Sequence, residues 1–175
     1  SMEEEKVILV NSNDEPIGLM PKMEAHEKAL LHRAFSVFVI NGNNELMLQQ
    51  RAHQKYHSPG LWTNTCCSHQ RDGEENIEAG LRRLQEEMGF ETPLEYLFNF
   101  IYRVPFDNGL TEHELDHVML GRFEGEPSIN PEEVASWKWM DIDLIHADLI
   151  NNPADYTVWF AIIFDRFYNH LKENS

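Results

Sequence analysis

A single amphipathic helix stands in the middle of this chain with strand-like segments on both sides, and that order limits the fold more than any other feature. The helix is expected from about Glu75 to Met88, since Asp72-Gly73 breaks the chain before it and Gly89 ends it. Its apolar residues Ile77, Leu81, Leu84 and Met88 recur at helical spacing, a stripe along one face. Upstream, residues 6–10 (KVILV), 35–40 (FSVFVI) and 46–51 (LMLQQR) read as strands. The last two are expected to pair through an Asn-Gly hairpin at 41–45. NSNDEP at 11–16 is a turn cluster with Gly18 soon after, and 52–60 is a loop ending in Pro59-Gly60. LWTNTCCSH at 61–69 is extended or looped. Downstream, 97–106 and 115–123 are strands around a turn at Asp107-Asn108-Gly109, and 136–140 is another. Residues 141–150 form a short helix and 157–172 a longer amphipathic one. Strands, one helix, strands and two final helices spell an α+β fold, a mixed α/β sandwich. A length of 175 residues fits one domain spanning 1–175.

The net charge of -16 argues against a nucleic-acid partner, whose phosphates call for clustered Lys and Arg. It leaves room for a small phosphorylated substrate, because a few local cations or a bound metal invert the field inside a pocket. The two cysteines, Cys66 and Cys67, are adjacent and no third exists. That suits a reducing compartment and excludes a zinc site built on cysteine pairs. No apolar run approaches the roughly 18 residues of a membrane helix. The expectation is a soluble, cytoplasmic protein, monomeric behind an acidic surface, with no membrane partner.

Three histidines and two glutamates have the chemistry of a metal site. His26 and His32 precede the strand at 35–40, and His69 lies two residues after Cys67. Glu112 and Glu114 fall on one face of an extended segment. Such a set suits Mn²⁺, Zn²⁺ or Mg²⁺. On spacing alone these histidines read more readily as surface or hydrogen-bonded residues. The central helix carries Arg82, Arg83, Glu86 and Glu87 at i, i+4 spacing, and by periodicity it is a solvated, ion-paired face.

The text of that helix says more. R-x-x-x-E-E-x-G-apolar, from Arg82 to Phe90, resembles the end of the Nudix box, in which helix carboxylates hold Mg²⁺ against a diphosphate. Glu74, Glu86 and Glu87 are kept, but Ser68 replaces the first Gly of the box and Arg83 replaces a Glu. Losing a carboxylate and gaining a cation suggests a diphosphate that is bound without being hydrolysed. WTNTCCSH (62–69), LLHRAFSVF (30–38) and LTEHELDHV (110–118) closely resemble, in the expected order, the motifs of type 1 isopentenyl-diphosphate isomerases. The likeness runs with gaps from about residue 6 to residue 168.

That resemblance implies a Nudix-type fold with a mixed sheet flanked by helices. It implies an isomerase interconverting isopentenyl and dimethylallyl diphosphate for isoprenoid synthesis. An unactivated alkene must be protonated first, pass through a tertiary carbocation and lose a proton on the other side. This needs an acid and a base across the substrate in a dry site. The resemblance assigns Cys67 to one side and Glu114 to the other, with Tyr102 beside Glu114 and Trp159 facing the carbocation. Which group delivers the first proton stays open. The implied metal ligands are His26, His32, His69, Glu112 and Glu114. The interval from His26 to His32 is one residue shorter than in some members. A second ion, Mg²⁺, is implied between the diphosphate, Glu87 and the Cys67 backbone carbonyl. Lys22, Arg51, Lys55 and Arg83 are the implied diphosphate cations. Cys66 is expected to be a buried small hydrophobe, Trp62 a pocket wall or packing residue, and His113 and His117 bystanders. The alternative is a Nudix hydrolase of a nucleoside diphosphate derivative, against which Arg83 and Cys67 both count.

Overall fold

The computed structural model describes residues 5–55 and 57–175, so Tyr56, in the loop expected at 52–60, lies outside them. Among the described residues nine strands join one mixed sheet. The strands are β1 (Lys6–Val10), β2 (Pro16–Pro21), β3 (His32–Ile40), β4 (Glu45–Arg51), β5 (Trp62–Thr63), β6 (Cys66–Ser68), β7 (Leu94–Pro105), β8 (Thr111–Arg122) and β9 (Val134–Asp141). The helices are α1 (Lys22–Glu27), α2 (Asn76–Met88), α3 (Ile142–Asn151) and α4 (Val158–Glu173). No helix among the described residues is long and apolar enough to cross a membrane.

β3 is the axis of the sheet. It runs parallel to β8 from His32, opposite Glu114, to Ile40, opposite Arg122. Its odd residues Phe35, Val37 and Val39 pack with Ala79, Leu84 and Met88 of α2. Its even residues Phe38 and Ile40 join Phe160, Phe164 and Phe167 of α4. A strand covered on both faces reads as an almost unbroken apolar run, which is why FSVFVI shows no alternation. Ser36 is the exception, and its hydroxyl bonds Asp116 at 2.9 Å.

The hairpin at 41–45 forms, but residues 46–51 are not the partner of 35–40. Only Ile40 and Leu46 pair before the strands part, and β4 pairs with β9 along its length instead. The segment 62–68 wedges into the gap, with β5 on β4 and β6 on β3. Side chains replace the missing ladder. Thr65 Oγ1 accepts from Val39 N at 2.9 Å and donates to Met47 O at 2.6 Å. Asn64 Nδ2 donates to Val37 O at 3.0 Å, and Gln49 Nε2 donates to Thr65 O at 2.8 Å. Thr65, Asn64 and Gln49 are all buried. They meet the requirement that buried polar groups be partnered, and they hold the sheet open where the cavity described below begins. The turn itself uses Asn41, whose Oδ1 accepts from Asn43 N and Glu45 N. The left-handed residue is Asn44, not Gly42.

α2 closes on the sheet through Gly80, where a Cβ would stand 2.9 Å from both Leu94 and Met119. A capping box between Glu75 and Glu78 starts it. Two elements escaped the sequence. β2 contains Pro16, Gly18 and Pro21, which mimic a turn but suit a sheet edge. α1 spans six residues, too few to show a period, and it sets Lys22 and His26 on one face at i, i+4.

Candidate active site

The register of three adjacent strands builds the centre of the site. Glu114 on β8 lies directly opposite His32 on β3 and Tyr102 on β7. Side chains opposite one another in a sheet emerge on the same face, so the three meet without any loop. His32 Nε2 stands 3.0 Å from Glu114 Oε2, and His69 Nε2 stands 2.8 Å from the same oxygen. The Tyr102 hydroxyl makes a very short bond to Glu114 Oε1 and lies 3.1 Å from Glu112 Oε2. α1 brings His26 over the group, its ring 5.3 Å from that of His32 and 6.3 Å from that of His69.

Ligand atoms of His26, His32, His69 and Glu114 all lie within 4.8 Å of one another, and all four residues are buried. His26 Nε2 is buried with no hydrogen-bond partner. An orphaned imidazole nitrogen beside a carboxylate and two more imidazoles is a donor set that could hold a divalent cation. Glu112 stands one step outside this quartet, joined to it through Tyr102.

The charges are sharply divided. Burial raises the Glu112 carboxyl well above its ordinary range, and the Glu114 charge adds to the push. Burial acts on Glu114 in the same sense, but the bonds from His32 and His69 hold it well below. Burial pushes His26 down to about 3, followed by the charge of His69. His69 is lowered by burial against the pull of Glu114, while His32 rises because Glu114 overcomes its burial. The Tyr102 hydroxyl lies within hydrogen-bond reach of both carboxyls and, with a single proton, donates to one of them at a time.

One cavity of about 180 Å³ opens onto this group. Cys67 reaches it because β6 alternates. Cys66 points under α2, buried, with its thiol 3.6 Å from Glu87, whereas Cys67 packs on the α4 side. Burial, then Glu87, raises the Cys67 thiol, so it holds its proton. Trp159 comes from α4 and Arg51 from the end of β4, with the guanidinium 5.1 Å above the indole ring. Lys22, Lys55, Arg83 and Glu87 also line the cavity. His32 lies beneath its floor, fully buried. Trp62 is not a wall residue; it packs against the α4 core under Lys138. His113 turns to the Ala29 carbonyl, and His117 bonds Tyr96 and pairs with Asp14, away from the quartet.

The Nudix domain family model matches residues 30–160. The isopentenyl-diphosphate Delta-isomerase of Pectobacterium atrosepticum is 50% identical over 167 residues, covering 95% of this chain and 93% of the relative. This chain belongs to the isopentenyl-diphosphate Delta-isomerase family. Isopentenyl-diphosphate Delta-isomerase 2 of Aromatoleum aromaticum is 48% identical over 163 residues, covering 93% and 86% of the two chains. Solved structures agree on the fold. A Deinococcus radiodurans protein superposes with a TM-score of 0.77 at 21% identity, covering 93% of this chain and 98% of its own. A MutT protein from Methanosarcina mazei gives 0.66 at 16% identity, covering 81% and 96%.

Three residues of this isomerase-family site escaped the sequence. Gln49 donates to Glu87 Oε1 at 2.9 Å and fixes that carboxylate from the side opposite Arg83. Nothing in LMLQQR distinguishes Gln49 from Gln50, whose amide bonds the Gly60 carbonyl instead. His57 stacks on Phe106 and meets Trp159 edge-on, closing the aromatic wall. Glu133 pairs with Lys55 at 2.5 Å, and nothing in the sequence separates it from the other acidic residues, 30 in all.

Proposed function

We propose that this chain interconverts isopentenyl and dimethylallyl diphosphate. The observation that carries this reading is that Cys67, the Tyr102–Glu114 pair and Trp159 share one cavity with four cations. Lys22, Arg51, Lys55 and Arg83 hold the diphosphate and so fix where the five-carbon chain lies. Cys67 and Glu114 flank the double bond. One of them gives a proton to the terminal methylene, C4, which leaves a tertiary cation at C3. The other takes a proton from C2, and its electron pair forms the new double bond. The reverse reaction exchanges the two roles. Tyr102 carries the proton between the Glu112 and Glu114 carboxyls. The Trp159 indole face attracts the cation, an interaction of about 0.5–2 kcal/mol. The aromatic wall of Trp159, His57 and Phe106 keeps water from adding to it.

His26, His32, His69, Glu112 and Glu114 would hold Mn²⁺, Zn²⁺ or Mg²⁺, a charge that fixes the Glu114 carboxylate and tunes its acidity. Glu87 and the Cys67 carbonyl would hold Mg²⁺ that neutralises the diphosphate. The two free cysteines suit a reducing compartment such as the cytoplasm, and the net charge of -16 favours a monomer. Arg83, in place of a carboxylate, speaks against hydrolysis of nucleoside diphosphate derivatives.

The test is conversion of isopentenyl diphosphate in deuterated water, with deuterium appearing in the product. Cys67→Ala and Glu114→Gln are expected to lose nearly all turnover while keeping the fold. Near-normal turnover in either would remove the mechanism, and efficient hydrolysis of ADP-ribose would replace it.

A further inference from the structure

Among the acids that line the cavity, Glu133 stands apart from the Glu112–Glu114 pair and lies against Lys55 and Arg83, two of the cations assigned to the diphosphate. Its place is fixed from both sides. Its backbone carbonyl accepts from Ala52 N, next to Arg51, and Asn130 in the same loop donates to the Glu87 carbonyl at the end of α2. The side chain projects into the cavity, where Oε2 lies 2.5 Å from Lys55 Nζ and 3.5 Å from Arg83 Nη2. Arg83 Nη2 is held on its other side by Glu87 at 2.8 Å. One carboxylate oxygen thus touches two of the four cations assigned to the diphosphate. A phosphate oxygen needs the same things: negative charge, acceptor geometry, and a Lys and an Arg within reach. All three side chains are well covered, with 26%, 28% and 19% of the Lys55, Glu133 and Arg83 side chains exposed, so water screens them incompletely.

We infer that Glu133 is a positioning residue that stands in for a phosphate group, holding Lys55 and Arg83 aimed into the cavity and competing with the substrate diphosphate for both. Diphosphate binding is then an exchange of one anion for another. Glu133 sets how weakly the ligand is held and therefore how fast the product leaves. The inference rests on the reading of this cavity as a diphosphate site. Two effects of the carboxylate oppose each other. It keeps the flexible Lys55 chain ordered, which favours binding, and it repels a multiply charged anion at close range, which disfavours it. In a partly buried site the repulsion between full charges exceeds the ordering of one side chain.

The experiment is calorimetric titration of inorganic diphosphate, at fixed Mg²⁺, into the purified protein, Glu133→Gln and the neighbouring control Glu132→Gln. Removing the Glu133 charge is expected to tighten binding on the order of tenfold. Turnover of isopentenyl diphosphate at saturation should fall while KM falls with it, a split that simple structural damage does not produce. Glu133→Ala reports the same quantity if the glutamine variant fails to fold. Unchanged or weaker binding by both Glu133 variants, with normal binding by the parent protein, would overturn the inference alone. Failure of the parent to bind diphosphate would overturn the reading beneath it as well. Equal tightening by Glu132→Gln would overturn it too, as a general charge effect.

Discussion

Replacing Tyr102 by Phe tests the centre of the site with one oxygen atom. The ring is buried between Phe100 and the cavity, and phenylalanine keeps its shape, so packing is preserved. What disappears is the hydroxyl that joins Glu112 to Glu114. A hydrogen bond to a charged group contributes about 1.5–3 kcal/mol, and Glu114 would keep only its two histidine partners. If that bond serves the transition state, the same energy corresponds to a loss of about 10- to 150-fold in kcat. KM should stay nearly constant, because the hydroxyl that is removed bonds the two carboxylates and none of the diphosphate cations. The assay is steady-state conversion of isopentenyl diphosphate, paired with urea unfolding to separate activity from stability. An unchanged kcat would refute the relay. So would a rise in KM alone, since it would place Tyr102 in substrate binding rather than proton transfer.

Other consequences are equally direct. Thr65→Val keeps volume but strands Val39 N and Met47 O inside the sheet, so urea unfolding should show a loss of about 2–5 kcal/mol; a loss under about 1 kcal/mol would mean that the wedge does not hold β3 and β4 apart. Protein stripped of divalent ions with chelator should gain about 2.7 kcal/mol of stability when Mn²⁺ or Zn²⁺ is restored to a hundred times its Kd. His26→Ala should lose most of that gain in a thermal melt, and an undiminished gain would remove His26 from the ligand set. His57 is pushed down to about 4 by burial and then by Arg51, against 6.5 in the unfolded chain. Between those values the unfolded chain binds more protons, so this contribution is complete above pH 6.5 and is lost as pH falls towards 4. His57→Phe should therefore lose less stability than the parent between pH 7 and 4.5, by on the order of 2 kcal/mol once partial exposure is discounted. Parallel losses measured by urea midpoints would contradict this.

Much of the frame was legible because its signals are local. α2 announced itself through its stripe and its terminal Gly89, whose left-handed backbone lies so close to the Ser128 carbonyl that a Cβ would collide at 2.3 Å. The i, i+2 spacing of Glu112 and Glu114 gave their common face once β8 proved extended through both. What stayed hidden was non-local or too short. No pattern near residue 46 says that β4 will leave β3 for β9, because that choice is made by Asn64 and Thr65, far along the chain. β2 and α1 are brief, β2 bounded by Pro16 and Pro21 and α1 starting directly after Pro21. That His26, His32, His69 and Glu114 come together was readable only through family likeness, since the meeting of His32 with Glu114 comes from a strand register that sequence spacing does not encode. Glu133 and Gln49 were invisible for a related reason. Their meaning lies in which cation or carboxylate faces them, not in their own neighbourhoods.

The pairing of His32 with Glu114 also places the site in time. The two residues are 82 apart in the chain and meet only when β3 and β8 lie parallel in register. Parallel pairing of distant segments is slow, because the loop between them must close before its contacts begin to reward closure. The quartet is therefore expected to assemble late in folding, after the local hairpin of β7 and β8, and folding kinetics of His32→Ala checked against a β7–β8 hairpin variant would test the order. A divalent ion would meet a nearly finished protein. It would slow unfolding far more than it speeds folding, acting as a lock on the completed sheet rather than as its nucleus.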